Sequence, residues 1–395
     1  MQPQWSKYGQ VAVHIDPNGS IDALAYKGSD LLSALVTTIA PLGLTKQFWQ
    51  VITDVMDSIT LIPRNNQKHR IEVGDKLFER LFGAYQVHFG LDNPTRLTDY
   101  WYQINRFVIT WEKNHVKIHK GTLYYWLGYA NLRSGNVTAA YISFHNAIEE
   151  DKHSYRFLNK PYANSPASLT MSLIDIPNNA LHRAVVIPIR TELSSLLTNY
   201  CVHTSSSLAM SDIDNKFLKE SRHEHIKIVF TEAFHSLYNI RELIRSGLIE
   251  NDYSRLRLGN LLFHLCLVVD QLLHYRYLRH TRVRERDRNM GKAVYRLCLN
   301  SKLTTKKKCP EGDFFKRFNP PVSSKKLGKA LTTLLDNKGE FDGKVLPYSI
   351  ASVMVAYRLR NFVAHHIQGE SIFVKRYPDL YARVMDSFFV AVEKL

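Results

Sequence analysis

Apolar residues recur at three- and four-residue intervals along most of this chain, which is the pattern of amphipathic helices. In the N-terminal half the pattern runs from about 31 to 152, with breaks at 63–67 and 91–94. In the C-terminal half it predicts helices near 212–246, 253–280 and 325–337. It also predicts a helix from about Ser349 and a last one from about Pro378 to the end of the chain. The chain is therefore expected to be mainly α-helical.

The first 30 residues have a different pattern. Residues 11–15 alternate between apolar and polar, 16–19 read Asp-Pro-Asn-Gly, and apolar positions resume at 20–26. Alternation on either side of a turn sequence is typical of a β-hairpin. We expect one small hairpin within residues 1–30.

The segment 121–151 predicts two helices joined by a tight turn at 134–136. Small residues stand where the two helices would cross, and an aromatic residue fills the gap between them. The segment resembles one tetratricopeptide repeat and departs from it at Asn131, where that repeat usually has an aromatic. An ordinary helical hairpin is the alternative. The positions that match the repeat are Leu127, Gly128, Ala140, Phe144 and Ala147.

Prolines and small polar residues suggest how the chain is divided. Three prolines interrupt 153–180, a helix is expected near 181–200, and 203–211 is polar enough for a linker. We therefore expect a helical N-terminal domain over 1–205 and a helical bundle over 212–395. A basic insertion at about 281–325 would interrupt the bundle.

Composition limits the classes of protein that fit. Apolar residues make up 45% of the chain, which suits a globular protein. No run of about 18 uninterrupted apolar residues predicts a membrane span, and the first residues lack the apolar core of a secretion signal. The four cysteines are scattered and suggest no zinc site, so a reducing, cytoplasmic compartment is expected.

Positive charge is concentrated in one region of the chain. The net charge is +16, and the stretch 276–329 alone carries 17 Lys and Arg against 4 Asp and Glu. A local excess of this kind suits a polyanion such as RNA, although a solvated helix face with a loop is the plainer alternative. The predicted RNA-binding residues are Arg282, Arg284, Arg286, Arg288, Lys306, Lys307 and Lys308.

Arg360, Asn361 and His365 form the candidate catalytic group. Asn361 and His365 are four residues apart, so on a helix they share one face. Arginine presents a forked, permanently charged donor set to a phosphate, and histidine moves protons near neutral pH. RNA supplies its own nucleophile, the 2′-hydroxyl, so such a site needs no metal and no cofactor. A second match to this spacing, Arg64 to His69, lies in a polar predicted loop and is set aside.

The segment 357–367 resembles the arginine–histidine motif of the HEPN family of nucleotide-binding and ribonuclease domains, and the resemblance covers about 212–395. It implies a metal-independent endoribonuclease that works as a homodimer, loosely suggesting a toxin or antiviral defence role. The N-terminal domain would then bind a protein partner or effector. Many members are inactive, so a non-catalytic adaptor that binds nucleic acid and a protein is the alternative. Accessory candidates are His366, Arg358 and Asp270. Asp270 stands in an apolar run, where a carboxylate must be paired, so we expect it to pair with an arginine of the bundle. His264 and His274 are expected to be partly buried helix residues and not ligands.

Overall fold

The computed structural model of this protein describes residues 4–5, 12–13, 49, 52–53, 56–57, 59–89, 94–245, 251–279, 289–318, 324–365 and 370–395. These residues are mostly helical, which confirms the mainly α expectation. They divide into two compact units, Met1–Met171 and Ser172–Leu395.

The first unit begins with two short paired strands and continues as helices. Strands β1 and β2 are antiparallel, with Trp5 opposite Ala12. This pairing differs from the predicted hairpin, which joins 11–15 to 20–26 through a turn at 16–19. Residues 14–48 lie outside the described part of the chain, so that hairpin stays a prediction. The elements are β1 (Gln4–Trp5), β2 (Ala12–Val13), α1 (Gln67–Phe89), α2 (Pro94–Glu112), α3 (Gly121–Arg133), α4 (Val137–Leu158) and α5 (Pro166–Met171).

Helices α3 and α4 form the predicted hairpin. Gly135 in the turn has φ +76°, a backbone conformation that glycine adopts without strain, and Asn136 caps α4 through its side chain. Gly128 lies against the buried ring of Phe144, and a Cβ at this glycine would be 2.5 Å from that ring. The predicted close crossing of the two helices at Gly128 is confirmed.

A buried histidine joins three parts of the first unit. His119, just before α3, lies 2.8 Å from Asp75 on α1 and 3.2 Å from Asp151 on α4. Burial alone would lower the pKa of His119, but hydrogen bonds and charge from the two carboxylates outweigh it and raise the pKa to about 10. The imidazole is therefore a buried cation that holds these helices together.

The second unit is a helical bundle with one small hairpin. The expected helices at its end are confirmed, since α13 begins at Tyr348 and α15 at Tyr377. The elements are α6 (Ala180–Thr204), α7 (Met210–Ile213), α8 (Glu224–Arg245), α9 (Asp252–Tyr277), α10 (Met290–Asn300), α11 (Glu311–Phe318), α12 (Ser324–Leu335), β3 (Glu340–Phe341), β4 (Lys344–Val345), α13 (Tyr348–His365), α14 (Ile372–Lys375) and α15 (Tyr377–Lys394).

The division between the units falls after Met171, well before the boundary expected at 205–212. The reason is α6, which packs against α8 and α15 and places Val186, Leu193 and Tyr200 in the core of the bundle. The polar segment 203–211 is therefore a connection inside the second unit. A local composition of small polar residues cannot distinguish the two cases.

Helix α9 lies at the centre of the bundle, packed against α8, α10, α13 and α15. Of the helices in the described residues, it alone is long and apolar enough to cross a membrane by length and composition. Within the bundle, however, 61% of its most apolar window is buried. A helix with an apolar surface on most sides is expected at the centre of such a bundle.

The basic insertion expected at 281–325 is not one irregular loop. Helix α10 buries Met290, Val294 and Leu297, and α11 buries Phe314. These residues belong to the same core as the rest of the bundle. Lys292, Arg296 and Lys316 of this stretch thus belong to helices whose other faces are apolar, which the charge count had obscured.

Candidate functional site

The motif is carried by α13. Its residues from Ile350 to Tyr357 are all buried, because an apolar run without proline or glycine forms one buried helix in the bundle. Arg360 and Asn361 follow, half-buried, near the end of that helix. His365 is its last residue, but its side chain and the whole of His366 lie outside the described part. Their predicted roles therefore stay predictions.

Asp270 on the central helix α9 is the partner of Arg360. The Nε of Arg360 lies 3.3 Å from Oδ2 of Asp270, whose side chain is only 3% exposed. Burial raises the pKa of Asp270, although the charges of His274 and Arg360 oppose that rise. The expectation that this carboxylate pairs with an arginine of the bundle is confirmed.

His274 is a further member that sequence reasoning set aside as a partly buried helix residue. Its Nε2 lies 3.3 Å from Oδ1 of Asp270, one turn earlier on α9. Asp270 thus stands between a guanidinium and an imidazole, one on each carboxylate oxygen. The signal in the sequence was the four-residue spacing from Asp270, which places both side chains on one helix face.

Asn361 and Tyr357 extend this group along α13. Nη1 of Arg360 donates a hydrogen bond of 3.2 Å to Oδ1 of Asn361. Burial has the largest effect on Tyr357 and raises the pKa of its phenol. A hydrogen bond with Asn361 and the charges of nearby arginines oppose that rise. A Cβ at Gly291 would be 2.9 Å from the Tyr357 hydroxyl, so the start of α10 borders the same group. We call Asp270, His274, Arg360 and Asn361 the RN cluster.

The RN cluster has the components of proton transfer and anion binding. The side chain of Arg360 is 30% exposed and that of His274 is 18% exposed, although the Nε of Arg360 and the Nε2 of His274 are themselves buried. Among the described residues, neither Nε of Arg360 nor Nε2 of His274 has an aligned hydrogen-bond partner. A carboxylate beside an imidazole orients the ring, while the guanidinium offers charge to a phosphate.

Arg358 does not belong to the RN cluster. Side chains two positions apart on a helix point about 200° apart around its axis, so Arg358 and Arg360 face opposite sides of α13. Arg358 instead lines a cavity beside α12 and the β3–β4 hairpin. Arg358 therefore lies apart from Arg360, and its predicted accessory contact with a phosphate stays a prediction.

The predicted RNA-binding residues fall in two places. Lys306, Lys307 and Lys308 are exposed in the turn between α10 and α11. Arg282, Arg284, Arg286 and Arg288 lie outside the described part of the chain.

A second basic group, not predicted from the sequence, surrounds Tyr275 near the end of α9. The guanidinium carbons of Arg222 and Arg279 lie 5.6 and 4.7 Å from the ring centre of Tyr275. The ring of His223 meets this ring edge-on at 4.9 Å. Arg222 also forms an ion pair with Glu220. Arg222 is distant in sequence, so no local pattern could reveal this cluster.

Comparison with known proteins does not assign this geometry to a family. No model of a known protein family matches the chain. No curated protein and no solved structure matches it either. The function must therefore be inferred from the site itself.

Proposed function

We propose that this protein is a metal-independent endoribonuclease whose active site is the RN cluster together with His365. The observation that carries the proposal is the pairing of Arg360 with the buried Asp270 and, through it, with His274. Arg360, a phosphate-binding cation, then stands on the helix that carries the HEPN-like motif, and His274, a proton-transfer group, stands on the neighbouring helix α9. The HEPN-like arrangement of the second unit, its homodimer and the tetratricopeptide-like first unit belong to the same proposal.

The chemistry uses the 2′-hydroxyl of RNA as the nucleophile. A histidine, His365 or His274, accepts its proton while the 2′-oxygen attacks the adjacent phosphorus. Arg360 stabilises the negative charge that develops on the phosphate oxygens. The bond from phosphorus to the 5′-oxygen breaks, and that oxygen takes up a proton. The products are a 2′,3′-cyclic phosphate and a free 5′-hydroxyl, and DNA is inert because it lacks the attacking group.

The test is cleavage of labelled RNA and of the matching DNA in a buffer with excess chelator. His365→Ala should lower the cleavage rate by roughly 100- to 10,000-fold, since a proton-transfer group is lost. Arg360→Met should lower it by about 100-fold or more. Arg376→Met is a matched control, because Arg376 is 34% exposed and also pairs with carboxylates, Asp336 and Asp379.

Three results would count against the ribonuclease. They are cleavage that requires a divalent metal, equal cleavage of DNA, and full activity in both His365→Ala and Arg360→Met. The control variant should cleave at the wild-type rate. A role in defence or as a toxin, in the cytoplasm, is a wider proposal that cellular assays must address.

A non-catalytic adaptor that binds RNA and a protein is the second candidate. The cluster of Arg222, Tyr275 and Arg279 favours it, because stacking and phosphate contacts need no cleavage chemistry. Replacing both arginines with Gln should weaken RNA binding and flatten its dependence on salt, since each phosphate contact releases counterions. Binding with that behaviour, without cleavage by the wild-type chain, would favour the adaptor. An unchanged salt slope would show that RNA does not contact this cluster.

A further inference from the structure

A cavity of about 350 Å³ lies between α12, the β3–β4 hairpin and α13. This volume falls within the range of roughly 300–1,000 Å³ that small-molecule sites occupy. Its wall is mostly apolar, and Leu334, Phe341, Leu346 and Met354 are all buried residues of the core. The cavity lies in the second unit and shares no lining residue with the RN cluster.

Arg358 is the positively charged residue among those that line this cavity. It stands one turn after Met354 on the same face of α13, so its side chain lies along the apolar wall. Among the described residues, no carboxylate forms an ion pair with Arg358 and its Nε has no hydrogen-bond partner. Burial lowers the pKa of Arg358, and the neighbouring Tyr357 offsets part of that effect. A guanidinium that is desolvated without a counter-ion is stabilised by any anion that reaches it.

The remaining polar groups restrict the kind of anion. Glu340 and Asp342 also line the cavity, and both are exposed. Their negative charge opposes a ligand with several charges, such as a phosphate ester, more strongly than it opposes a single carboxylate, whose one charge Arg358 can pair. The hydroxyl of Thr333 donates to the carbonyl of Lys329, which leaves its oxygen able to accept a hydrogen bond.

We propose that this cavity binds a small monocarboxylate with an apolar body, whose carboxylate pairs with Arg358 and whose body packs against Leu334, Phe341 and Met354. The proposal does not depend on the ribonuclease activity, because it concerns the other face of α13. It assigns to Arg358 a ligand-binding role in place of an RNA contact.

Calorimetric titration of the whole chain with 4-phenylbutyrate, its amide and inorganic phosphate tests the proposal. We expect saturable binding of the carboxylate and much weaker binding of the amide and of phosphate. Arg358→Met should raise the dissociation constant for the carboxylate by roughly 10- to 100-fold, as expected for losing a charged hydrogen bond. Lys344→Met, on the exposed strand β4, should leave it unchanged.

A second variant fills the cavity without touching the charge. Ala330→Phe should abolish binding of 4-phenylbutyrate, and it keeps the test decisive if Arg358→Met does not fold. The proposal is overturned if wild-type protein does not bind the carboxylate, or if carboxylate and amide bind equally. It is also overturned if phosphate binds as tightly as the carboxylate, or if Arg358→Met or Ala330→Phe binds like wild type.

Discussion

Removing Arg360 should destabilise the protein more than removing both Arg360 and its partner Asp270. In Arg360→Met, the carboxylate of Asp270 stays buried at 3% exposure with His274 as its remaining neighbour. A buried charge that loses its partner keeps the cost of desolvation and loses the attraction that offset it. In the double variant Asp270→Asn/Arg360→Met neither charge is present, so this penalty disappears.

The structure sets the size of the effect. At the observed 3.3 Å between Nε and Oδ2, two unit charges attract by about 5 kcal/mol at an effective dielectric constant of 20. The 30% exposure of Arg360 and the desolvation of Asp270 weaken this attraction. We therefore expect a coupling free energy between the two residues of about 1–3 kcal/mol. Arg360→Met should therefore lower the free energy of unfolding by about 2–3 kcal/mol. Asp270→Asn should lower it by less, because Arg360 can turn towards water.

Urea unfolding of the wild type, both single variants and the double variant measures this coupling. The control Arg376→Met should lose less than about 1 kcal/mol, because its ion pairs are more exposed. Single-variant effects that simply add, or an Arg360→Met variant as stable as wild type, would refute a buried Asp270 charge held by Arg360. The double variant also isolates chemistry from folding, since it should be stable yet inactive towards RNA.

Three further outcomes follow from buried groups elsewhere. Burial raises the pKa of Asp386 to about 6, so the folded state binds an extra proton between pH 4 and 6 and stability falls as pH rises. Relative to Asp386→Asn, wild type should lose about 3 kcal/mol from pH 4 to 7.5 in urea titrations. His119 has its pKa raised to about 10. The protonated imidazole adds at most about 5 kcal/mol to the free energy of unfolding, fully below pH 6.5 and not at all well above pH 10. His119→Gln should therefore lower the free energy of unfolding strongly at pH 6 and only slightly at pH 10.5. Gly128→Ala should lower the melting temperature, because the new Cβ overlaps the ring of Phe144 at a cost of about 1–3 kcal/mol. Gly328→Ala, where space is open, should not.

The periodic spacing of apolar residues is by itself enough to determine most of the helices. It predicted the hairpin of α3 and α4, the long helix α9 and the final helices α13 and α15. Local signals are reliable here because a helix satisfies its own backbone hydrogen bonds and shows one apolar face to its neighbours. The sequence also singled out Arg360 and the need of Asp270 for a partner, since a carboxylate within an apolar run must be paired.

Tertiary packing decided the rest. The boundary between the units lies at Met171, and not at 205–212, because α6 packs into the bundle. The composition of the segment 203–211 does not indicate where a neighbouring helix packs. Arg358 and Arg360 are close in sequence, yet they face a cavity and a buried carboxylate on opposite sides of α13. Distant residues such as Arg222 and Tyr275 meet only after the bundle forms. Sequence spacing determines which face of a helix a side chain occupies, but the neighbours of that face are set by the whole fold.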